Sequence, residues 1–272
     1  MPRPSTDVIC PGGAAPWLSE MRSDSITVSY LPALGHGREY GEASDSDCRY
    51  RCHMARAMKD DAFRTGQHAR LHEPHIAPIT AYVESLRGLD RWLPYVAPLH
   101  GGVNARMLTI LRDPGKGTLA EGGSGMLCVE NNDQSAEVQF GLMESAGLTP
   151  ADITPWNAYP WFIDRAPTDD EILEASPTIT GLLELLPDLE IVMLQGGEAQ
   201  AAWRVALTAH PAIRRRRLIT LETYHPSVQA LRTPDPLERG RRVQHRLDTW
   251  AEAGEILNDD CATPRRRHLP LP

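Results

Sequence analysis

The amino-acid sequence predicts an α/β fold: a three-layer αβα sandwich around a central, mainly parallel four-stranded sheet, preceded by an N-terminal helical lead-in. Short apolar runs bounded by Gly and Pro recur four times, in the segments Met107 to Gly115, Asp152 to Trp161, Ile191 to Gly197 and Leu218 to Ser227. Their lengths favour strand over buried helix. Helical patterns fill the gaps, and strands that alternate with helices pair in parallel, because parallel neighbours need crossover connections. In such a sheet a ligand sits beyond the carboxyl ends of the strands. Asp113, Asn157, Gly196 and His225 all fall there.

Taken in chain order, residues 1–45 combine Pro, Gly, Ser and Asp with little periodic apolar content, and are expected to form an extended or disordered arm. One α/β domain is expected over 46–260, with its helical lead-in over 46–100. Within the lead-in, Ser46 to Gly66 reads as a helix, and Ile76 to Leu89 as a second, with His75, Pro78, Tyr82 and Leu86 at helical intervals. Between the strands, helices are predicted from Gln134 to Ala146, stopped by Gly147; from Thr168 to Leu186, with Asp169, Asp170 and Glu171 in its first turn; and from Glu198 to Ala209. A last helix over Leu237–Ala253 leads to a flexible basic tail over 261–272.

The 272 residues suffice for one such domain with flanking segments. No apolar run approaches the roughly 20 residues needed to cross a bilayer, and the N-terminus lacks the basic-then-apolar order of a signal peptide. A cytoplasmic location without membrane partners is therefore expected. The five cysteines are odd in number and scattered, which argues against a disulfide framework. Although the formal net charge is -8, ten arginines lie between Arg204 and Arg246 against Glu222, Asp235 and Glu238. Arg214 to Arg217 together with Arg239, Arg241 and Arg242 are thus candidates for a basic face beside His225, since binding a phosphate backbone needs local cations rather than a positive total. The plain alternative is a set of solvated helix ends.

At the strand ends the chain resembles the uracil-DNA glycosylase superfamily. The resemblance rests on Asp113-Pro114-Gly115 after the first strand, Asn157-Ala158 after the second, and His225-Pro226-Ser227 after the last. It extends to Gly101 through Arg106, to Ser124-Gly125 through Asn131-Asn132-Asp133, and to Trp156 through Trp161, covering about residues 75–250. Each motif alone is common; their order and placement carry the likeness. It implies a monofunctional DNA glycosylase that hydrolyses the N-glycosidic bond of a flipped-out pyrimidine, uracil by default, leaving an abasic site for base-excision repair. Asp113 and His225 would be catalytic. The first orients or deprotonates the water attacking C1′, and the second donates to the base O2 as its charge grows. Asn157 would read O4 and N3–H through its two-sided amide. Gly115, Leu127, Trp161 and Ser227 are the remaining candidate contacts to the substrate, and Lys116, Arg214, Arg232 and Leu231 the candidates for DNA, Leu231 or Val228 as a wedge into the stack.

The resemblance implies DNA as the partner, a monomer, and neither metal nor other cofactor. Some members carry a four-cysteine iron–sulfur cluster, but Cys48 and Cys52 form no recognisable ligand set with Cys10, Cys128 and Cys261. His68, His72 and His75 are metal-like by type alone. Where many members stack the base on a phenylalanine, this chain has Met126-Leu127-Cys128. That departure keeps open a glycosylase for a modified pyrimidine in phage DNA, acting in antiphage defence. A binding module without turnover and an unrelated α/β enzyme such as a nucleoside hydrolase are the readings from other classes. Against the catalytic roles stand plain structural ones: Asp113 as a turn cap, Asn157 as an amide bonding loop backbone, His225 as a core histidine, and the tryptophans as core.

Overall fold

The computed structural model describes residues 55–88 and 91–259. The arm expected over 1–45, the start of the helix expected from Ser46, the tail over 261–272 and Cys10, Cys48, Cys52 and Cys261 lie outside the described residues. In chain order the elements are α1 (Asp61–Ala69), α2 (Ala77–Leu86), β1 (Tyr95–Val96), β2 (Met107–Leu111), β3 (Met126–Leu127), α3 (Gln134–Ser145), β4 (Ile153–Asn157), α4 (Asp169–Glu184), β5 (Ile191–Gln195), α5 (Gly197–Ala209), β6 (Ile219–Thr223) and α6 (Pro236–Asp259).

Four strands form one sheet in the order β4-β2-β5-β6, every neighbouring pair parallel. β2, β4 and β5 are apolar over almost their whole length because helices cover both sides. Alternation along the strands divides the core. Leu108, Ile110, Trp156, Val192 and Leu194 pack with α2, α4 and α5, whereas Met107, Ile153, Ile191, Met193 and Leu221 pack with α3 and α6. The result is the expected three-layer sandwich. β1 and β3 add a separate two-stranded parallel ribbon that periodicity did not signal, since two residues each are too few to show a pattern.

Local chemistry accounts for the helix boundaries. The Asp133 carboxylate accepts from Ala136 N at 2.9 Å to start α3, and Gly147, at φ +71, follows its end. Thr168 and Glu171 form a reciprocal capping box at the start of α4. Pro177 sits inside α4 and cannot donate to the Leu173 carbonyl; the Ser176 hydroxyl donates to it instead, at 2.9 Å.

Two helices depart from expectation. α1 begins at Asp61, where the Asp60 side chain accepts from Phe63 N at 2.8 Å, and it runs through Gly66 to Ala69. Gly66 faces open space, so it does not stop the helix. α6 continues beyond Ala253 to Asp259 because Gly254 is a contact rather than a stop: a Cβ there would lie 2.1 Å from the Ala146 carbonyl oxygen. That close crossing seats the end of α3 against α6.

The connection leaving β2 returns through α3 on one face of the sheet, and the connection leaving β5 returns through α5 on the other. The neighbouring carboxyl ends of β2 and β5 are therefore the topological switch point, where open α/β sheets form a ligand crevice.

Candidate functional site

The carboxyl edge of the sheet carries a row of polar groups fixed by strand register. Asn157 pairs with Leu111, and Gln195 with Thr223. Asp113 lies two residues beyond the end of β2, Gly196 one beyond β5 and His225 two beyond β6. The strand order thus sets Asn157, Asp113, Gly196 and His225 along a single edge.

The Asp113 side chain is 6% exposed and is ion-paired with Arg112, which is itself more open to solvent. Burial nevertheless raises the Asp113 pKa from its ordinary value, with Arg112 opposing and the charges of Glu198 and Asp164 adding to the rise. The His225 pKa is pushed down to about 4, first by burial and then by the charges of Arg112 and Arg246. Arg112 therefore acts electrostatically on both groups, which ties the two into one neighbourhood. At neutral pH the edge presents an uncharged imidazole just beyond β6, across from the Asp113 carboxyl just beyond β2.

The imidazole tautomer is set by the backbone. Ser227 N–H donates to His225 Nδ1 at 3.0 Å, so the neutral ring carries its proton on Nε2. The buried Arg246 guanidinium, reaching in from α6, donates through Nη2 to the His225 carbonyl at 2.5 Å and to the Ser227 carbonyl at 3.5 Å. Its pKa is lowered to about 10 by burial. Gly196 supplies the remaining fit: its φ is +106, and a Cβ would stand 3.3 Å from the His225 Cβ.

Asn157 is 1% exposed, and its Oδ1 finds no hydrogen-bond partner among the described residues. The same holds for both amide atoms of Gln195, which is also 1% exposed, and for the Thr223 hydroxyl. Buried polar atoms are normally paired, so a run of unpaired ones along a single sheet edge offers donors and acceptors that a ligand or water can satisfy. Beside it a cavity of about 290 Å³ is lined by Gly196, Gly197, Gln200, Glu222, Thr223, Tyr224 and His245, from the β5–α5 turn and the start of α5, the end of β6, and α6.

Other expected contacts are placed differently. Arg214 lies at the opposite end of the sheet from His225. α5 runs back for about 20 Å after β5, and the turn Pro211–Arg216 leads directly into the start of β6, where Ile219 pairs with Ile191. The neighbouring Arg216 donates to the carbonyls of Leu183 and Leu186, closing the end of α4. The arginine run 214–217 therefore does not form a face beside His225. The arginines near that loop are Arg232, exposed, and Arg239, Arg241 and Arg242 in the first turns of α6, where Arg242 donates to the Ala230 carbonyl at 3.2 Å. Glu238 pairs with both Arg241 and Arg242.

Trp161 is core rather than a platform. It is 6% exposed, its Nε1 donates to the Leu86 carbonyl at 2.9 Å, and the Arg91 guanidinium lies 4.7 Å from its ring centre. Leu127 pairs with Val96 in the two-stranded ribbon and is buried in the same core. Gly115 has an ordinary φ of -77 and open space where a Cβ would be, so the fold does not demand glycine there. Lys116 is exposed and pairs with Asp164 at 3.0 Å. Leu231 and Val228 are half-buried in the turn after His225, while Leu237, in the first turn of α6, is 74% exposed.

His68 and His75 bond the carbonyls of Ser124 and Pro98, each at 2.9 Å, and no group of three or more metal-ligating side chains converges among the described residues. Cys128 is a buried free thiol whose pKa is raised by burial. No helix among the described residues is long and apolar enough to cross a membrane.

The sequence reading gave no site role to Arg112, Arg246 or Gln195. Gln195 had a legible signal, a lone amide closing an otherwise apolar strand; Arg246 had none, because its target is 21 residues away. Compared with models of known protein families and with curated proteins, the chain matches none.

Proposed function

We propose that this protein is a DNA glycosylase that hydrolyses the N-glycosidic bond of a flipped-out pyrimidine, with uracil the default base. One observation carries the reading: a buried carboxylate and a neutral, Nε2-protonated imidazole stand just beyond the carboxyl ends of strands of one parallel sheet, with a buried amide whose oxygen is unpaired on the same edge. Departure of the base leaves positive charge on the sugar and negative charge on the base, so an anion on one side and a donor on the other lower the barrier together. Asp113 orients or deprotonates the water at C1′ and faces the oxocarbenium-like sugar. His225 donates from Nε2 to O2. Asn157 Oδ1 accepts from N3–H, and its amide nitrogen donates to O4. Arg232 and Arg239, which carry no ion pair with Glu238, favour a phosphate backbone at this end of the sheet, and the exposed Leu237 joins Leu231 as a candidate for the gap left by the flipped nucleotide.

The test is base release from oligonucleotides carrying uracil, thymine, 5-hydroxymethyluracil, cytosine or hypoxanthine, read as alkali-labile abasic sites. The expected result is release of an imide-edged pyrimidine, with Asp113→Asn lowering turnover by a few powers of ten and leaving DNA affinity nearly intact, since the carboxylate acts on developing charge. Release of a modified pyrimidine in preference to uracil would assign the protein to foreign or modified DNA. DNA binding without release of any base would leave a binding module.

A further inference from the structure

We infer that Gln195 is a second base-reading amide, a specificity-determining residue that meets the middle of a pyrimidine imide edge between Asn157 and His225. This rests on the glycosylase reading and goes beyond it, because the motifs that suggest that reading do not include Gln195.

Three observations converge on this residue. Gln195 is 1% exposed, yet neither its Nε2 nor its Oε1 has a hydrogen-bond partner among the described residues. A primary amide orphaned on both sides is costly to bury, and the cost is recovered only by a partner offering a donor and an acceptor side by side. Second, Gln195 closes β5 at the topological switch point, where the connections of β2 and β5 diverge to opposite faces. Third, the register places it with Asn157. Ile110 pairs with Leu194, so Leu111 is the next neighbour of Gln195 as well as the partner of Asn157. In-register residues of parallel strands point to the same face, and this face is the one carrying Ile191 and Met193 toward α3 and α6.

The row therefore runs Asn157, Leu111, Gln195, Thr223. Two buried amides flank a leucine that is less buried than either of them, with strands about 4.8 Å apart. Across the sheet Gln195 stands between Asn157 and the strand that carries His225. A uracil-like base bonded at O4 by Asn157 and at O2 by His225 turns its N3–H and O2 toward Gln195. The amide of Gln195 answers that sequence, with Oε1 sharing N3–H with Asn157 Oδ1 in a three-centre bond and Nε2 donating to O2 beside His225. Cytosine, with an unprotonated N3, loses the first of these bonds.

The experiment uses the full chain and two variants, Gln195→Leu, which keeps the volume and removes the amide, and Gln195→Glu, which replaces its donor with an acceptor. Expected are an unchanged or raised Tm for Gln195→Leu, a ten- to hundredfold fall in kcat/KM for the preferred imide base in both variants, and weaker product inhibition by free uracil. An amide with a merely structural role gives the opposite pattern, a lowered Tm with unchanged product inhibition. If the wild-type protein releases a base, and the rate and inhibition of Gln195→Leu match it, the assignment of Gln195 is overturned and the glycosylase reading stands. If the wild-type protein releases no base, that reading fails; Gln195 is then judged by whether free uracil raises the Tm of wild type but not of Gln195→Leu, and an equal or absent shift overturns it.

Discussion

At the scale of single residues, the site depends on groups whose charge states are set by burial. His225 and the fully buried His100 both have pKa values pushed down to about 4 from 6.5, chiefly by desolvation. Between those values the unfolded chain binds protons that the folded chain does not, so folding stability rises with pH across this window and is lost as pH falls through it. Acidification through this window costs up to about 3 kcal/mol per histidine. Asp113 has the opposite sign: its raised carboxyl pKa costs stability at neutral pH, and the cost is relieved on acidification. The expected outcome in urea titrations is a fall in stability from about pH 6.5 toward pH 4 that shrinks in His100→Gln. A slope unchanged in that variant would show that His100 is not buried neutral. Arg246 illustrates what residue type alone conceals, since it is one arginine in a basic stretch yet the one that holds both carbonyls of the His225 turn.

At the scale of elements, glycines decide which surfaces may approach. Gly196 combines a left-handed φ of +106 with a prospective Cβ only 3.3 Å from His225, and Gly254 puts a prospective Cβ 2.1 Å from the Ala146 carbonyl oxygen. Gly196→Ala is expected to cost about 1–3 kcal/mol through backbone strain, and to displace His225, so base release falls more than stability. Gly254→Ala is expected to destabilise by a similar amount or more through the α3–α6 crossing, with base release per folded molecule unchanged. Denaturant midpoints and single-turnover rates on the two variants check the pair. The strand boundaries were legible because short apolar runs ended by Gly, Pro or a polar residue have few other solutions. The end of α6 was not, because Gly254 looks like a helix stop until the carbonyl it faces is known.

At the scale of the whole described unit, the sheet sorts the arginines. Those in 214–217 lie at the amino end of β6, with Arg216 spent on the end of α4, whereas Arg232, Arg239, Arg241 and Arg242 lie near the His225 loop. Where the arginines sit along the sheet matters more to a polyanion than the formal total of -8. Arg232→Ser combined with Arg239→Ser is expected to weaken DNA binding and to reduce the slope of log affinity against log salt by about one to two. Arg214→Ser is expected to leave both unchanged. Fluorescence anisotropy across a salt series distinguishes these; an effect of Arg214→Ser equal to the double substitution would place the DNA at the other end of the sheet.

The sequence by itself determined the four strands of the main sheet and their parallel pairing, most helix boundaries, and the expectation that Asp113, Asn157, Gly196 and His225 share the carboxyl edge. Those features follow from local periodicity, capping chemistry and the rule that parallel strands need crossovers, all of which act over a few residues or one βα unit. Only the tertiary structure decided that Trp161 and Leu127 belong to the core, that the 214–217 arginines lie at the opposite end of the sheet from His225, and that Arg246 holds the His225 turn while Ser227 N–H sets its ring tautomer. It alone also exposed Gln195 as an unpaired amide beside Asn157. Burial, hydrogen-bond completion and the spatial order β4-β2-β5-β6 join residues far apart in the chain, and periodicity carries no record of which distant partner a side chain meets.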